Sequence, residues 1–273
     1  MATAPSASRK TALVTGASSG IGLAFAKLLA REGYDLILVA RSKDKLLELK
    51  SELTAQHAIK AFVFSHDLTQ PEAPQQIFDQ AQQQGLSVHT LINNAGLGDF
   101  GDFVTSDWTK QQSMILLNVM ASTHLAHLFL PGMIQRGSGG ILNVASTAAF
   151  QPGPLMSVYF ATKAYVLSLT EAIAAEVEGT GVNVSVLCPG PTQSNFAQAA
   201  EMGKVAENDG LSSDKLPSAH EVASYGYRAL QRGEVVAVHG VLNKALTFSN
   251  RLAPRSLIRK GVKQFLSTIK SDS

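Results

Sequence analysis

The chain has 273 residues, of which 45% are hydrophobic and 16% charged, a composition that is typical of a folded globular protein and excludes broad disorder. Its formal net charge of +2 at pH 7 excludes a surface that is basic throughout, so nucleic acid is not an expected partner. The single cysteine, Cys188, excludes an internal disulfide and favours a cytoplasmic location.

Short apolar runs alternate with helical patterns along the chain. Strands are predicted at residues 11–15, 36–40, 61–64, 88–93, 140–144, 182–187 and 235–238. Helices are predicted at residues 21–31, 43–53 and 77–84, in a long region that ends at 135, and at 158–177. The strands are apolar throughout, as in a parallel sheet that helices cover on both faces. The predicted fold class is therefore α/β, with a doubly wound parallel sheet of about seven strands.

We expect three regions: a flexible extension at residues 1–9, a main domain at 10–240 and a tail at 241–273. The small, polar N-terminus does not predict a secretion signal, and no apolar run is long enough to predict a membrane span. The polar stretch 193–217 is longer than a tight connection, which favours a functional flap over a passive surface loop.

A glycine-containing turn follows the first predicted strand and precedes the first predicted helix. Gly16 permits a tight turn, Gly20 permits close approach of a phosphate, and Gly22 permits close packing of helix on strand. The helix N-terminus presents free N–H groups and a partial positive charge, which attract a pyrophosphate. The sequence therefore predicts a dinucleotide site, rather than an unliganded turn, with contacts from Gly16, Ser18, Ser19, Gly20, Ile21 and Gly22.

The end of the second predicted strand indicates which dinucleotide binds. NAD sites usually carry an acid there that bonds the ribose 2′-hydroxyl, but this sequence has Arg41 and Ser42. The planar guanidinium of Arg41 matches a 2′-phosphate, and Ser42 adds a hydroxyl donor. We therefore predict NADP(H) as the cofactor, although Arg41 is also consistent with a solvated residue at a helix start.

Tyr159 and Lys163 are four residues apart on a predicted helix, which puts both side chains on one face. An adjacent ammonium favours the phenolate, so we expect Lys163 to lower the pKa of Tyr159 from about 10 toward the working pH. Taken alone, this spacing is more typical of an amphipathic helix surface. Other motifs are needed to decide whether the pair is catalytic.

Those motifs follow one another along the chain. They are the run from Asn93 to Gly96 after the fourth predicted strand, Asn118 in a helix, Ser146 after the fifth strand, Tyr159 with Lys163, and the run from Pro189 to Thr192 after the sixth strand. With the glycine turn, they resemble the one-domain branch of the short-chain dehydrogenase/reductase family, from Lys10 to about Val238. The resemblance implies a Rossmann fold and a hydride transfer between nicotinamide and a carbonyl or secondary alcohol.

The resemblance also implies a role for each motif. Tyr159 exchanges a proton with the substrate oxygen, Ser146 hydrogen-bonds the same oxygen, and Lys163 tunes Tyr159 and binds the nicotinamide ribose. Asn118 holds a water in a proton relay. The remaining cofactor contacts fall on Asp67, Asn94, Ala95, Gly96, Pro189, Gly190 and Thr192. As alternatives, Ser146 is a helix cap and Asp67 and Asn94 are turn formers.

An apolar substrate pocket is expected around the tyrosine. Its predicted lining is Leu97, Phe100, Phe103, Phe150, Leu155, Met156 and Phe196. This lining favours an apolar ketone, a 3-oxoacyl chain or a steroid-like ring as substrate, although such residues more often belong to a hydrophobic core. One departure from the family pattern is Phe160, where a small residue is usual, so we expect altered packing beside Tyr159.

The tail combines apolar and basic residues at helical spacing, with Ile258, Val262 and Phe265 among the former and Arg259 and Lys263 among the latter. It docks on its own domain, on a partner subunit or on an anionic membrane surface, the last as a peripheral contact. It resembles the tail of the branch that includes 3-ketoacyl and 17β-hydroxysteroid-type reductases. The family resemblance also implies a homo-dimer or homo-tetramer, with the helices around Asn118 and Tyr159 at one interface.

Two other functions compete with an NADP-dependent reductase of a small-molecule carbonyl. A catalytically silent NADP(H)-binding sensor should lack part of the tetrad, but Asn118, Ser146, Tyr159 and Lys163 are all present. A nucleotide-sugar epimerase shares the Tyr–Lys spacing but usually has a longer C-terminal domain. No metal site is predicted.

Overall fold

The computed structural model describes residues 9–194, 196, 200, 216–250 and 252–271. Nearly all of the expected N-terminal extension and most of the expected flap at 193–217 lie outside this range. The strands are β1 Thr11–Thr15, β2 Asp35–Ala40, β3 Ala61–Ser65, β4 Val88–Asn93, β5 Gly139–Val144, β6 Val182–Cys188 and β7 Val236–Val238. The helices are α1 Gly20–Arg31, α2 Lys43–Gln56, α3 Ala73–Gln83, α4 Trp108–Ile115, α5 Ser122–Gln135, α6 Ser157–Glu176, α7 Ala219–Gln231, α8 Val241–Ser249 and α9 Arg255–Ser271.

The described strands form one sheet in the order β3-β2-β1-β4-β5-β6-β7, and each neighbouring pair is parallel. The predicted doubly wound parallel sheet is therefore confirmed. The direction of winding reverses between β1 and β4, which both lie centrally. In sheets of this kind, ligands bind in the crevice at the carboxyl ends of the two strands where the order reverses.

Each strand presents apolar side chains to both faces, which explains the continuous apolar runs. In β1, Ala12 and Val14 pack on one side with residues of α1, α2 and α7, whereas Leu13 packs on the other side with residues of α3 and α5. The two layers bury most strand side chains, and this fixes the positions of the loops at the carboxyl edge.

A continuous helical run extends from Trp108 to Gln135, because a π-helical turn, Leu116–Ala121, joins α4 to α5. By length and composition alone, this run could cross a membrane, but core helices of soluble proteins pass the same test. In this structure its second half packs as a core helix does: Leu125, Phe129 and Met133 are buried against the sheet.

The tail forms α8 and α9. On α9, Leu266 is buried and Val262 is half-buried, and both pack with Tyr159, Met156 and other residues of the main domain. The tail thus contacts its own chain at the carboxyl edge of the sheet.

Candidate active site

The ends of β1 and β4 are joined by side-chain hydrogen bonds at the point where the winding reverses. The Thr15 hydroxyl accepts from the backbone N–H groups of Asn94 (2.9 Å) and Ala95 (3.0 Å). The Asn94 amide donates to the Thr15 carbonyl at 3.0 Å. Asn94 therefore holds the two strand ends together. Thr15 was not predicted as a site residue. The only sequence signal for this role is its position directly before Gly16.

The glycine turn has the geometry that a phosphate site requires. Gly16 and Gly20 have φ values of +66° and +54°, in the left-handed region that favours glycine. At Gly22, a Cβ would overlap the Gly16 carbonyl and the Asn94 amide. Ser18 lies in the turn, and Ser19 is the N-cap residue of α1. Ile21, in the first turn of the helix, leaves its N–H at the same edge. These residues fit a bound pyrophosphate.

Arg41 lies beside this turn. The Ala17 N–H donates to the Val39 carbonyl at 3.2 Å, which holds the turn against the end of β2, two residues before Arg41. The guanidinium of Arg41 is exposed and forms no ion pair within the described residues. Ser42 follows as the N-cap residue of α2. The position fits recognition of a 2′-phosphate.

Asp67 shapes the loop after β3. Its Oδ1 accepts from the N–H of Thr69 at 3.0 Å and from the Thr69 hydroxyl at 2.9 Å. This is the turn-forming role that was the alternative in the sequence analysis. The predicted adenine contact of Asp67 stays a prediction.

Tyr159, Lys163 and Asn118 are buried side by side, and Ser146 adjoins them. The Lys163 Nζ lies 5.8 Å from the centroid of the Tyr159 ring and donates to the Val144 carbonyl at 2.8 Å. Ser146 caps the short helix that follows β5, since its hydroxyl accepts from the Ala148 N–H at 3.1 Å. The same hydroxyl is a hydrogen-bond neighbour of Tyr159. The structure therefore brings the predicted tetrad together.

The expected lowering of the Tyr159 pKa is wrong. Burial raises the pKa of the Tyr159 phenol to about 12, and the hydrogen bond with Ser146 opposes this only in part. Burial also lowers the pKa of Lys163 to about 8. The reason is desolvation, which disfavours the charged form of each group. At neutral pH, Tyr159 therefore keeps its proton.

Asn118 lies in the π-helical turn and fastens it to two neighbours. Its Oδ1 accepts from the Leu97 N–H, and its Nδ2 donates to the Leu97 carbonyl, both at 2.9 Å. The Nδ2 also donates to the Thr162 hydroxyl at 3.0 Å, which in turn donates to the Tyr159 carbonyl. Gly96 lies next to both Asn118 and Lys163. Thr162 was missed, because its role depends on a contact between distant helices. The predicted water relay stays a prediction.

The loop after β6 lies next to Ser146 of the predicted tetrad. The Pro189 carbonyl accepts from the N–H of Thr147, next to Ser146, at 2.9 Å. The Thr192 hydroxyl donates to the Gly190 carbonyl at 2.9 Å. A Cβ at Gly190 would overlap the Asn243 side chain of α8. The loop is thus placed where it could contact the nicotinamide end of a bound cofactor.

Five of the seven residues predicted for the pocket gather around Tyr159. These are Leu97, Phe100, Leu155, Met156 and Phe196. The Phe196 ring centroid lies 5.2 Å from that of Tyr159. Phe103 is instead 61% exposed, and Phe150 packs in a separate cluster around Val166. The tail adds Val262 and Leu266, which the sequence analysis did not assign to the pocket.

The apolar cluster around Tyr159 has two local adaptations. Leu155 has a φ of +66°, which is strained for a residue with a side chain, and its carbonyl accepts from the Gly101 N–H at 2.8 Å. This bond joins two segments of the pocket. A Cβ at Gly153 would overlap the Phe160 ring, so the missing side chain of Gly153 accommodates the unusual Phe160.

Comparisons with known proteins agree with this geometry. The family model of the short chain dehydrogenases matches residues 10–204. Ketoacyl reductase HetN from Nostoc sp. is 38% identical over 66% of this chain and 63% of its own length. Very-long-chain 3-oxoacyl-CoA reductase from Anas platyrhynchos is 35% identical over 72% of this chain and 62% of its own. The chain therefore spans less than two thirds of the length of these two relatives. Sulfoacetaldehyde reductase 2 from Chromohalobacter salexigens is 35% identical over 77% of this chain and 84% of its own.

Solved structures give the same picture. A short-chain dehydrogenase from Sphingobium yanoikuyae in complex with NADPH is 30% identical, with a TM-score of 0.78 over 89% of this chain and 94% of that one. A short chain dehydrogenase/reductase from Burkholderia phymatum in complex with NAD is 28% identical, with a TM-score of 0.77 over 88% and 92%. Similar structures therefore hold either nicotinamide cofactor.

Proposed function

Since the chain belongs to the short-chain dehydrogenase/reductase family, we propose that it is an NADP(H)-dependent oxidoreductase that interconverts a carbonyl and a secondary alcohol. One observation carries the proposal: Lys163 lies against the Tyr159 ring, Ser146 hydrogen-bonds Tyr159, and both Lys163 and Asn118 border Gly96 after β4, a strand at which the sheet reverses its winding. A sensor protein would have no need of this arrangement.

The residues of the chain perform the proton chemistry, while the bound nicotinamide supplies or accepts the hydride. In the reducing direction, Tyr159 donates its phenolic proton to the carbonyl oxygen. Ser146 donates a hydrogen bond to the same oxygen and stabilises the negative charge that develops there. Lys163, which is cationic below about pH 8, stabilises the phenolate that Tyr159 leaves behind. Asn118 fixes the position of Leu97 relative to α6 by hydrogen-bonding both Leu97 and Thr162.

The preference for NADP(H) rests on Arg41. Its guanidinium is exposed next to the glycine turn, and the described residues provide it with no carboxylate partner. A guanidinium binds a phosphate through two parallel hydrogen bonds, and the acid that would repel a 2′-phosphate is missing from the end of β2.

An apolar ketone is the substrate class that the pocket supports. Phe100, Met156, Phe196 and Leu266 pack in the same apolar cluster as Tyr159, and apolar side chains favour a substrate that loses hydration on binding. Some similar proteins have names that agree, such as a 7beta-hydroxysteroid dehydrogenase and a bulky-bulky ketone specific alcohol dehydrogenase.

We propose that the chain forms a homo-dimer or homo-tetramer through the faces of α4 and α6. A shallow apolar depression there is lined by Ile115, Val119, Ser157, Val158, Ala161 and Thr162. Apolar surface of this kind is typical of interfaces between subunits.

The first experiment is titration of the purified protein with NADPH and NADH, followed by a panel of apolar ketones monitored at the nicotinamide absorbance. Tighter binding of NADPH with turnover of at least one ketone would support the proposal. Binding without turnover across the panel would favour the sensor, and a failure to bind either cofactor would contradict the interpretation of the glycine turn.

A further inference from the structure

Helix α8 turns a polar face, formed by Asn243 and Thr247, toward the protein. The Asn243 amide donates to the His239 carbonyl at 2.8 Å, and the Asn250 amide donates to Gln151 Oε1 at 2.8 Å. Thr247, one turn after Asn243, is buried. A helix on the surface of a globular protein normally buries its apolar stripe instead. In α8 this orientation is inverted.

The opposite side of α8 is apolar and exposed. Val241, Ala245 and Phe248 are spaced as i, i+4 and i+7, so they share one face. Val241 is 86% exposed and Phe248 is 61% exposed. Leu242 and Leu246 lie beside this face and are exposed as well. Since this helix has folded against the protein through polar contacts, its apolar side is left for another partner.

Exposed apolar residues continue into α9. We call the whole set the C-terminal apolar surface; it consists of Val241, Leu242, Leu246, Phe248, Leu252, Leu257 and Phe265. On α9, Val262 and Leu266 face the domain, whereas Leu257 and Phe265 are mostly exposed. The helix can therefore keep its contact with the main domain while it presents Leu257 to a partner.

The charge of this region is one-sided. Residues 241–273 contain seven of the 23 Lys and Arg residues of the chain but only one of the 21 Asp and Glu residues. The basic side chains that the structure describes here are all exposed: Lys244, Arg255, Arg259, Lys260 and Lys263. The remainder of the chain is therefore net acidic, and the positive charge is concentrated beside the exposed apolar side chains.

We propose that α8 and α9 dock the protein on the surface of an anionic lipid bilayer, with the C-terminal apolar surface in the interfacial layer and the basic residues on the lipid headgroups. Basic amphipathic helices with Leu and Phe on one face bind in this way. A symmetric contact with a second copy would set this basic region against itself, which repulsion disfavours. Charge complementarity therefore favours the membrane.

The first test is co-sedimentation of the full chain with phosphatidylcholine vesicles that contain phosphatidylglycerol. We expect binding at low salt that Leu242→Ser with Phe248→Ser reduces at least tenfold, and that Lys260→Gln with Lys263→Gln weakens several-fold. Matched controls are Val104→Ser, an exposed apolar residue in another region, and Lys45→Gln with Lys50→Gln on α2. Neither control should change binding. No binding, or equal loss in the controls, would overturn the proposal.

A second test locates the contact without relying on loss of binding. The chain has one tryptophan, Trp108, which is exposed on α4. In the variant Trp108→Phe with Phe248→Trp, emission should shift to the blue on addition of the anionic vesicles, whereas the wild-type emission should not. A shift from Trp108 alone would place the contact elsewhere and contradict the proposal. If Phe248→Ser converted a dimer into a monomer, the apolar surface would be a contact between subunits, and this too would contradict the proposal. These readouts do not depend on catalysis.

Discussion

The ammonium of Lys163 lies 5.8 Å from the centroid of the Tyr159 ring, and both groups are buried. Burial raises the pKa of Tyr159 to about 12 and lowers that of Lys163 to about 8. Near neutral pH the phenol therefore keeps its proton, whereas the ammonium loses its proton as the pH rises through about 8.

This pair predicts the pH dependence of carbonyl reduction. The proton on Tyr159 is present at every pH below about 12, so Tyr159 does not limit the rate near neutrality. The charge of Lys163 is complete below about pH 8 and is lost as the pH rises through that value. We expect kcat/KM for reduction to be level near neutrality and to fall above about pH 8. Lys163→Arg keeps its charge, so its profile should lack this fall. If kcat/KM of Lys163→Arg fell in the same way above about pH 8, the fall would come from the titration of another group.

Tyr159→Phe should remove the proton donor and leave the rest of the site in place. We expect kcat to fall roughly 100- to 10,000-fold, because that is the usual contribution of general acid catalysis. The Kd for NADPH, measured by fluorescence titration, should change little. Tyr165→Phe on the same helix is the matched control, since Tyr165 is exposed and bonds Thr123. Retained turnover in Tyr159→Phe would remove this residue from the mechanism.

Arg41→Ala should change the choice of cofactor. We expect the KM for NADPH to rise roughly 10- to 100-fold through the loss of charge-assisted hydrogen bonds, with little change for NADH. Lys45→Ala, also exposed near the start of α2, is the control for a general loss of positive charge. Equal effects on the two cofactors in Arg41→Ala would show that the guanidinium does not read the 2′-phosphate.

Leu266→Ala should enlarge the pocket. Leu266 is buried beside Tyr159 and Met156, so its truncation leaves space that a larger substrate can fill. We expect the ratio of kcat/KM for a bulky ketone to that for a small one to rise roughly tenfold, and the free energy of unfolding to fall by about 2 kcal/mol. Leu257→Ala removes an exposed leucine from the same helix and should alter neither. If the two variants behave alike, α9 does not line the pocket.

Ile115→Glu should dissociate the proposed oligomer. Ile115 borders the apolar depression between α4 and α6, where a buried carboxylate without a partner would be costly. Light scattering coupled to size-exclusion chromatography should show a smaller species for this variant. Leu47→Glu on α2, also partly exposed, should leave the mass unchanged. An unchanged mass in Ile115→Glu would place the interface on another face.

The sequence alone was sufficient wherever the signal is local. The seven apolar runs correspond to the strands, since a strand of a covered parallel sheet is apolar on both sides. The positions of Gly16, Gly20 and Gly22 predict the turn because backbone conformation and close packing depend on the missing side chain. The four-residue spacing of Tyr159 and Lys163 places them together on α6, as helix geometry requires.

Only the tertiary structure decided what depends on packing between distant segments. It buries Tyr159 and thereby reverses the expected direction of its pKa shift. It places Leu266 of the tail beside that residue and Phe103 in solvent. It also turns the apolar side of α8 outward, although the amphipathic pattern alone would favour burial. A sequence pattern defines which residues share a face, but the direction of that face depends on which other elements occupy the space next to it.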